Sequence, residues 1–160
     1  MAKQLPIEIF MPPNILKAKV GSVAGGIDLA ALKRAEAAMD TLKTEFNEWL
    51  TDDISRLALA RDGLANSPSE AMRRDLFRTA HDLKGQADTY GYPLIARMAA
   101  SLSKLLDETN KKPVIPIPLV DAHVVAIRIA FRDKISMTND AVAVTLAKEL
   151  EARVEEELTS

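Results

Sequence analysis

Cysteine is absent from this sequence of 160 residues, and histidine occurs only twice. Without cysteine the chain can form neither disulfide bonds nor thiolate metal sites. Long apolar runs are also missing, since none approaches the ~18 residues that a membrane-spanning helix requires. The first residues, MAKQLPIEIFMPPN, contain Glu8 and three prolines and lack the apolar core of a signal peptide. We therefore expect a protein of the reducing cytoplasm, with no membrane partner and no metal site.

An excess of charge of either sign is missing as well. The 21 basic and 23 acidic side chains give a formal net charge of −2. This balance does not favour nucleic acid or an anionic membrane as a general partner. The 28% of charged and 48% of hydrophobic residues are typical of a globular protein, and the length favours one domain.

What the sequence does have is helical periodicity over most of its length. Residues 1–27 differ, because they contain prolines and a short alternating apolar run that predicts an extended arm. We expect this arm to lie on the main body; docking on another chain is the less favoured alternative. From residue 28 to 158, apolar residues recur at steps of three and four, which is typical of amphipathic helices.

These patterns predict an all-α fold: an up-and-down four-helix bundle with an extended N-terminal arm and an additional C-terminal helix. The first helical stretch is interpreted as one long helix, or as two with a bend near residues 51–53. A later helix is predicted to run from Leu94 to about Thr109. We expect the chain to be a monomer.

The helix that contains the first histidine is predicted at about residues 69–90, with Ser69 as its N-cap and Gly91 at its end. Projected at about 100° per residue, His81 lies about 140° away from Leu76, which marks the centre of the core stripe. The stripe consists of Met72, Leu76, Ala80, Leu83, Ala87 and Tyr90. The outer side with His81 also carries Arg74, Arg78, Lys84, Gly85 and Asp88.

A glycine in this helix requires an explanation, because glycine inside a helix costs about 1 kcal/mol relative to alanine. Gly85 faces outward, so close helix packing does not account for it. Lys84 and Gly85 are the residues that follow His81 by one helical turn, and they place a cation and open space beside its imidazole. A neutral imidazole is a nucleophile near neutral pH, and a phosphoryl group fits such a site. A solvated helix face with no function is the alternative from this pattern alone.

The run His81-Asp82-Leu83-Lys84-Gly85, followed by Gly91, resembles the motif H-x-[LI]-K-G of the histidine phosphotransfer (HPt) domains of bacterial phosphorelays. The resemblance covers residues 69–109. It implies that His81 accepts a phosphoryl group on Nε2 from a receiver-domain aspartyl phosphate and passes it to another receiver. It also implies that Lys84 stabilises the phosphoryl group, that Gly85 gives the partner access, and that Gly91 ends the helix.

The resemblance further implies the partners and the docking surface. The partners would be response-regulator receiver domains, with a hybrid histidine kinase as a further candidate. No cofactor is expected on this chain, and Mg²⁺ is expected on the receiver. The predicted docking face consists of Arg74, Arg78, Gln86 and Asp88. Asp88 either orients Lys84 or is simply solvated.

Two positions depart from the family pattern. Gln86 stands where the family often has serine or alanine, and Tyr90 stands where a smaller aliphatic residue is common. Neither change touches the chemistry directly, but both leave open which receivers fit.

Other functions remain as alternatives. A histidine kinase is not favoured, because no proline follows the motif and GSVAGG is not a phosphate loop between a strand and a helix. The chain is therefore interpreted as a phosphotransfer intermediate without an ATP-binding domain. A stand-alone phosphoacceptor domain like that of a chemotaxis kinase, and a non-catalytic helical adaptor with a vestigial motif, remain open. His123, in an apolar context, is interpreted as a bundle residue rather than a second site.

Overall fold

The computed structural model describes residues 29–110, 114–135 and 140–160. In these ranges the chain forms α-helices and a short 3₁₀ helix, Glu108–Asn110, and no strand. The α-helices are α1 (Leu29–Asn66), α2 (Glu70–Thr89), α3 (Pro93–Leu106), α4 (Ile117–Arg132) and α5 (Ala141–Thr159). The prediction of an all-α fold is confirmed. The predicted N-terminal arm lies outside the described residues.

The chain divides into two compact units, residues 1–40 and 41–160. In the first unit the described residues, 29–40, are the first turns of α1, and all of them are exposed. In the second unit, α1 from Thr41 onward and α2 to α5 form a helical bundle, in which α3 packs against α2, α4 and α5. The C-terminal helix α5 packs against both α3 and α4.

The core of the second unit is aliphatic, and every α-helix contributes to it at helical spacing. Full burial of a leucine or isoleucine side chain stabilises the folded state by about 1.5–3 kcal/mol relative to exposure. The core includes Leu50 and Leu57 of α1, Leu76 and Leu83 of α2, Leu102 and Leu105 of α3, Val120 and Ile127 of α4, and Leu150 and Val154 of α5. This burial fixes the rotation of each helix, and therefore also decides which side chains α2 presents outward.

The question of a bend in the first helical stretch is settled in favour of a single helix. α1 runs for 38 residues without interruption. Near the suspected bend, the Thr51 hydroxyl donates to the Asn47 carbonyl at 2.7 Å, and the Ser55 hydroxyl donates to the Thr51 carbonyl at 2.8 Å. Both hydroxyls bond back to a carbonyl of the preceding turn, a contact that an uninterrupted helix can accommodate.

Both predicted ends of α2 are confirmed. The Ser69 hydroxyl accepts a hydrogen bond from the Met72 N–H at 3.2 Å. At the other end Gly91 has a φ of 83°, in the left-handed region that favours glycine. The Tyr92 N–H donates to the Ala87 carbonyl at 2.8 Å, which completes a Schellman motif around Gly91.

The predicted end of the next helix is wrong, since α3 stops at Leu106 rather than near Thr109. The reason is that other side chains satisfy its last carbonyl groups. The buried guanidinium of Arg73 donates to the carbonyls of Leu106 and Asp107, both at 2.8 Å. The Asn110 side-chain amide donates to the Lys104 carbonyl at 2.6 Å. Arg73 thereby ties the start of α2 to the end of α3.

Candidate functional site

Helix α2 positions His81 on its outer face. Leu76, Ala80, Leu83 and Ala87 are fully buried, and Met72 and Tyr90 are half-buried against the same core. His81 is exposed, on the side of the helix away from that stripe. The placement agrees with the helical projection of the sequence.

The His81 imidazole makes no hydrogen bond to any residue in the described part of the chain. Its neighbour is Phe77, one helical turn earlier, whose ring is stacked on the imidazole with centroids 5.9 Å apart and planes inclined by 26°. Phe77 is half-buried and packs against the hydrophobic core. Spacing alone places Phe77 next to His81 on the helix, four residues earlier, but does not show that the two rings meet.

On the other side of His81, one turn later, the surface is open. A Cβ atom built on Gly85 would have no neighbouring atom within 4 Å, so no described part of the chain fills this space. Lys84 is exposed, and so is Asp88. Among the described residues these two side chains form no ion pair with each other, which leaves the Lys84 ammonium group available to an anion.

The two arginines of the outer face differ in their surroundings. Arg74 forms a bidentate ion pair with Glu108, with distances of 2.5 and 3.3 Å from its Nε and Nη2 atoms. This hydrogen-bonded carboxylate raises the pKa of the Arg74 guanidinium. Arg78 is exposed and has no ion pair with any residue that the structure describes. Arg78 therefore adds more unbalanced positive charge to this face than Arg74 does.

Gln86 lies on the opposite flank of α2 from Lys84. It is half-buried, and its Oε1 atom is buried without a hydrogen-bond donor among the described residues. The same flank carries Tyr90, whose ring stacks on Phe46 of α1 with centroids 4.6 Å apart. Trp49 also contacts this ring, with centroids 6.0 Å apart. The unusual Tyr90 is thus explained by aromatic packing between α1 and α2, while the docking role of Gln86 stays a prediction.

The second histidine has a different environment. His123 is fully buried, with Nδ1 at 2.8 Å from the Leu119 carbonyl and Nε2 at 3.0 Å from the Ser101 hydroxyl. A carbonyl oxygen can only accept, so Nδ1 carries the hydrogen and Nε2 accepts from Ser101. Burial lowers the pKa of His123, and the hydrogen bond to the Leu119 backbone opposes this shift. The interpretation of His123 as a bundle residue is confirmed.

In the described ranges no group of three or more histidine, aspartate or glutamate side chains is placed to hold a metal ion. No helix in the part of the chain that the structure covers is both long and apolar enough to cross a bilayer.

A protein-family model matches most of the chain. The family model described as the Hpt domain matches residues 41–156. The matched range contains all of α2, including His81, Lys84 and Gly85. Neither the curated proteins nor the solved structures gave a significant match.

Proposed function

Because this chain belongs to the Hpt domain family, whose members take part in histidine phosphotransfer in phosphorelays, we propose that His81 is its phosphoacceptor. The imidazole receives a phosphoryl group from an aspartyl phosphate of a receiver domain and passes it to the aspartate of another receiver. The observation that supports this most is the exposed imidazole with open space above Gly85, one turn further along α2.

The transfer requires little of this chain beyond a correctly placed nucleophile. The lone pair of Nε2 forms the N–P bond while the P–O bond to the receiver's aspartate breaks, and the aspartate leaves as a carboxylate. No proton has to move for the new bond to form. Phosphoryl transfer depends on in-line approach of the reacting atoms, so a convex and uncrowded acceptor suits a partner that brings its own active site.

Positive charge on α2 supports the same function. Lys84 lies one turn from His81, within reach of a phosphoryl group on the ring, and Arg78 adds a second exposed cation on the preceding turn. The Mg²⁺ that balances charge in the transfer is expected on the receiver. This chain then supplies the acceptor, a cation and the docking face.

We propose that the docking face is the outer side of α2 around His81. Arg78 and Asp88 are exposed on it, and Arg74 contributes a guanidinium whose charge Glu108 partly balances. Gln86 contributes less, because its carbonyl oxygen is buried. The partner in this proposal is a receiver domain, either free-standing or part of a hybrid histidine kinase.

The experiment that tests the proposal mixes the protein with a phosphorylated receiver and Mg²⁺. The expected result is a phosphoryl group on the protein that is stable in alkali and labile in acid, which is the behaviour of a phosphoramidate. His81→Gln should remove this label and leave the fold intact, because the side chain is exposed. A label that persists in His81→Gln contradicts the proposal.

The same assay distinguishes the alternative functions. Replacing the receiver by a chemotaxis-type kinase core with ATP tests for a kinase as the phosphoryl donor. Label from the kinase core alone would favour a stand-alone phosphoacceptor domain of that type. Absence of label from either donor would favour an adaptor with a vestigial motif.

A further inference from the structure

No hydrogen bond with a described residue fixes the orientation of the His81 ring. Reactive histidines are commonly oriented by a hydrogen bond from the second ring nitrogen to a carboxylate or a carbonyl oxygen. His123 of this chain has such a bond, to Leu119. His81 has none with any described residue. An exposed side chain without such a contact is free to change rotamer, and each productive encounter must then select the correct one.

Phe77 supplies the contact that a hydrogen bond would otherwise provide. Its ring is stacked on the imidazole at 5.9 Å and 26°. Phe77 itself is held, because it is half-buried and packs against the core cluster. One side of the imidazole therefore faces an aromatic ring that is itself held in place, while the side toward Gly85 is open among the described residues. Stacking restricts the rotation of the ring and leaves its nitrogens accessible.

We propose that Phe77 is a positioning residue for phosphotransfer: its ring holds the His81 imidazole in the orientation from which it reacts. This inference rests on the proposed function of His81. Orienting a nucleophile before the partner arrives removes part of the entropic barrier to in-line attack. The expected contribution is about threefold to tenfold in the rate of transfer, which is the size of a rotamer restriction.

The test compares two substitutions at the same position. Phe77→Leu keeps apolar packing on the core but removes the flat ring, whereas Phe77→Tyr keeps the ring. Transfer from a phosphorylated receiver is measured over a range of receiver concentrations. Phe77→Leu should lower the maximal rate about threefold to tenfold without changing the half-saturating concentration, because docking does not use this contact. Phe77→Tyr should transfer within about twofold of the unchanged chain.

A second measurement observes the His81 imidazole directly by NMR. The carbon-bound protons of the His81 imidazole should show ring-current shifts in the NMR spectrum of the unchanged chain and of Phe77→Tyr. In Phe77→Leu those shifts should disappear, and side-chain couplings should show averaging among rotamers. Met72→Leu is a matched control, because Met72 packs against the same core from the same helix at a distance of nine positions from His81. It should change neither the transfer rate nor the His81 spectrum.

The outcomes separate this inference from the proposed function. If the unchanged chain is not labelled on His81, the proposed function fails, and this inference fails with it. If the unchanged chain is labelled but Phe77→Leu transfers at the same maximal rate, only the positioning role fails. Equal slowing by Phe77→Leu and Phe77→Tyr would also overturn it, because the ring would then not be the cause.

Discussion

The two histidines of this chain have opposite environments. His123 on α4 is fully buried, and both of its ring nitrogens are in hydrogen-bond contact with Leu119 and Ser101. His81 on α2 is exposed, touches only the Phe77 ring among the contacts described, and has open space beside it. The reactivity of an imidazole therefore depends on its surroundings. A ring whose nitrogens are already bonded stabilises the fold, and a ring with accessible nitrogens can react with a partner.

The largest expected effect concerns the open side of His81. Gly85→Leu should lower phosphotransfer by about 100-fold or more, because the added side chain occupies the approach of the partner. Its stability should be equal to or above that of the unchanged chain, since leucine is a better helix former than glycine and no other described part of the chain lies within 4 Å of the new Cβ. Transfer rates and urea unfolding measure the two effects. Gly85→Ala is the matched control, with a similar gain in stability and a smaller loss of transfer. Unchanged transfer in Gly85→Leu would show that the glycine does not serve access.

The next effect is the difference between the two histidines in their contribution to the free energy of unfolding. His123→Ala should lower the free energy of unfolding by about 3 kcal/mol, because it leaves a cavity and removes the hydrogen-bond partner of Ser101. His81→Ala should change it by no more than about 0.5 kcal/mol, as expected for an exposed side chain. Urea unfolding of the two variants gives both values. Equal losses would mean that the contrast in burial has no energetic consequence.

Two adjacent arginines of α2 show the same contrast between a buried and an exposed side chain. Arg73→Ala should cost about 2 kcal/mol, because the buried guanidinium donates to two carbonyls at the end of α3. Arg74→Ala should cost clearly less, because its ion pair with Glu108 is exposed to solvent. Thermal or urea unfolding at low and high salt tests both statements, since salt should weaken only the Arg74 pair. A larger loss for Arg74 than for Arg73 would contradict this assignment.

The smallest effect is the pH dependence of folding stability that His123 causes. Since burial lowers the pKa of His123 in the folded state, the unfolded chain binds a proton more readily, and folding is favoured above the unfolded pKa of about 6.5. This contribution is lost as the pH falls below that value, by up to about 1.4 kcal/mol at pH 5.5. The difference in stability between the unchanged chain and His123→Gln should therefore shrink between pH 7.5 and 5.5. A constant difference would show that His123 does not titrate with folding.

Much of the fold could be predicted from the sequence because it depends on local patterns. The apolar stripe of α2, the Ser69 cap and Gly91 are recognisable from residue type and spacing, and the structure shows each of them. The end of α3 could not be predicted in this way. It depends on Arg73, which is 33 positions from Leu106 along the chain.

The candidate site could likewise be predicted only where it depends on local patterns. The exposure of His81 and the open space at Gly85 follow from helical projection, which requires only the sequence. The Phe77 contact and the inward turn of Gln86 depend on side-chain conformations and on packing against neighbouring helices, which periodicity does not specify. The partners of His123 are also non-local, since Ser101 is 22 positions away.

The most direct measurement is to locate the phosphoryl group on the chain. After transfer from a phosphorylated receiver, trypsin should release His81 in a peptide of residues 79–84 and His123 in a peptide of residues 112–128. Mass spectrometry under alkaline conditions then distinguishes the two histidines. We predict the phosphoryl group on the peptide with His81 and none on the peptide with His123. A phosphoryl group on the peptide with His123, or on any peptide of His81→Gln, would contradict the account.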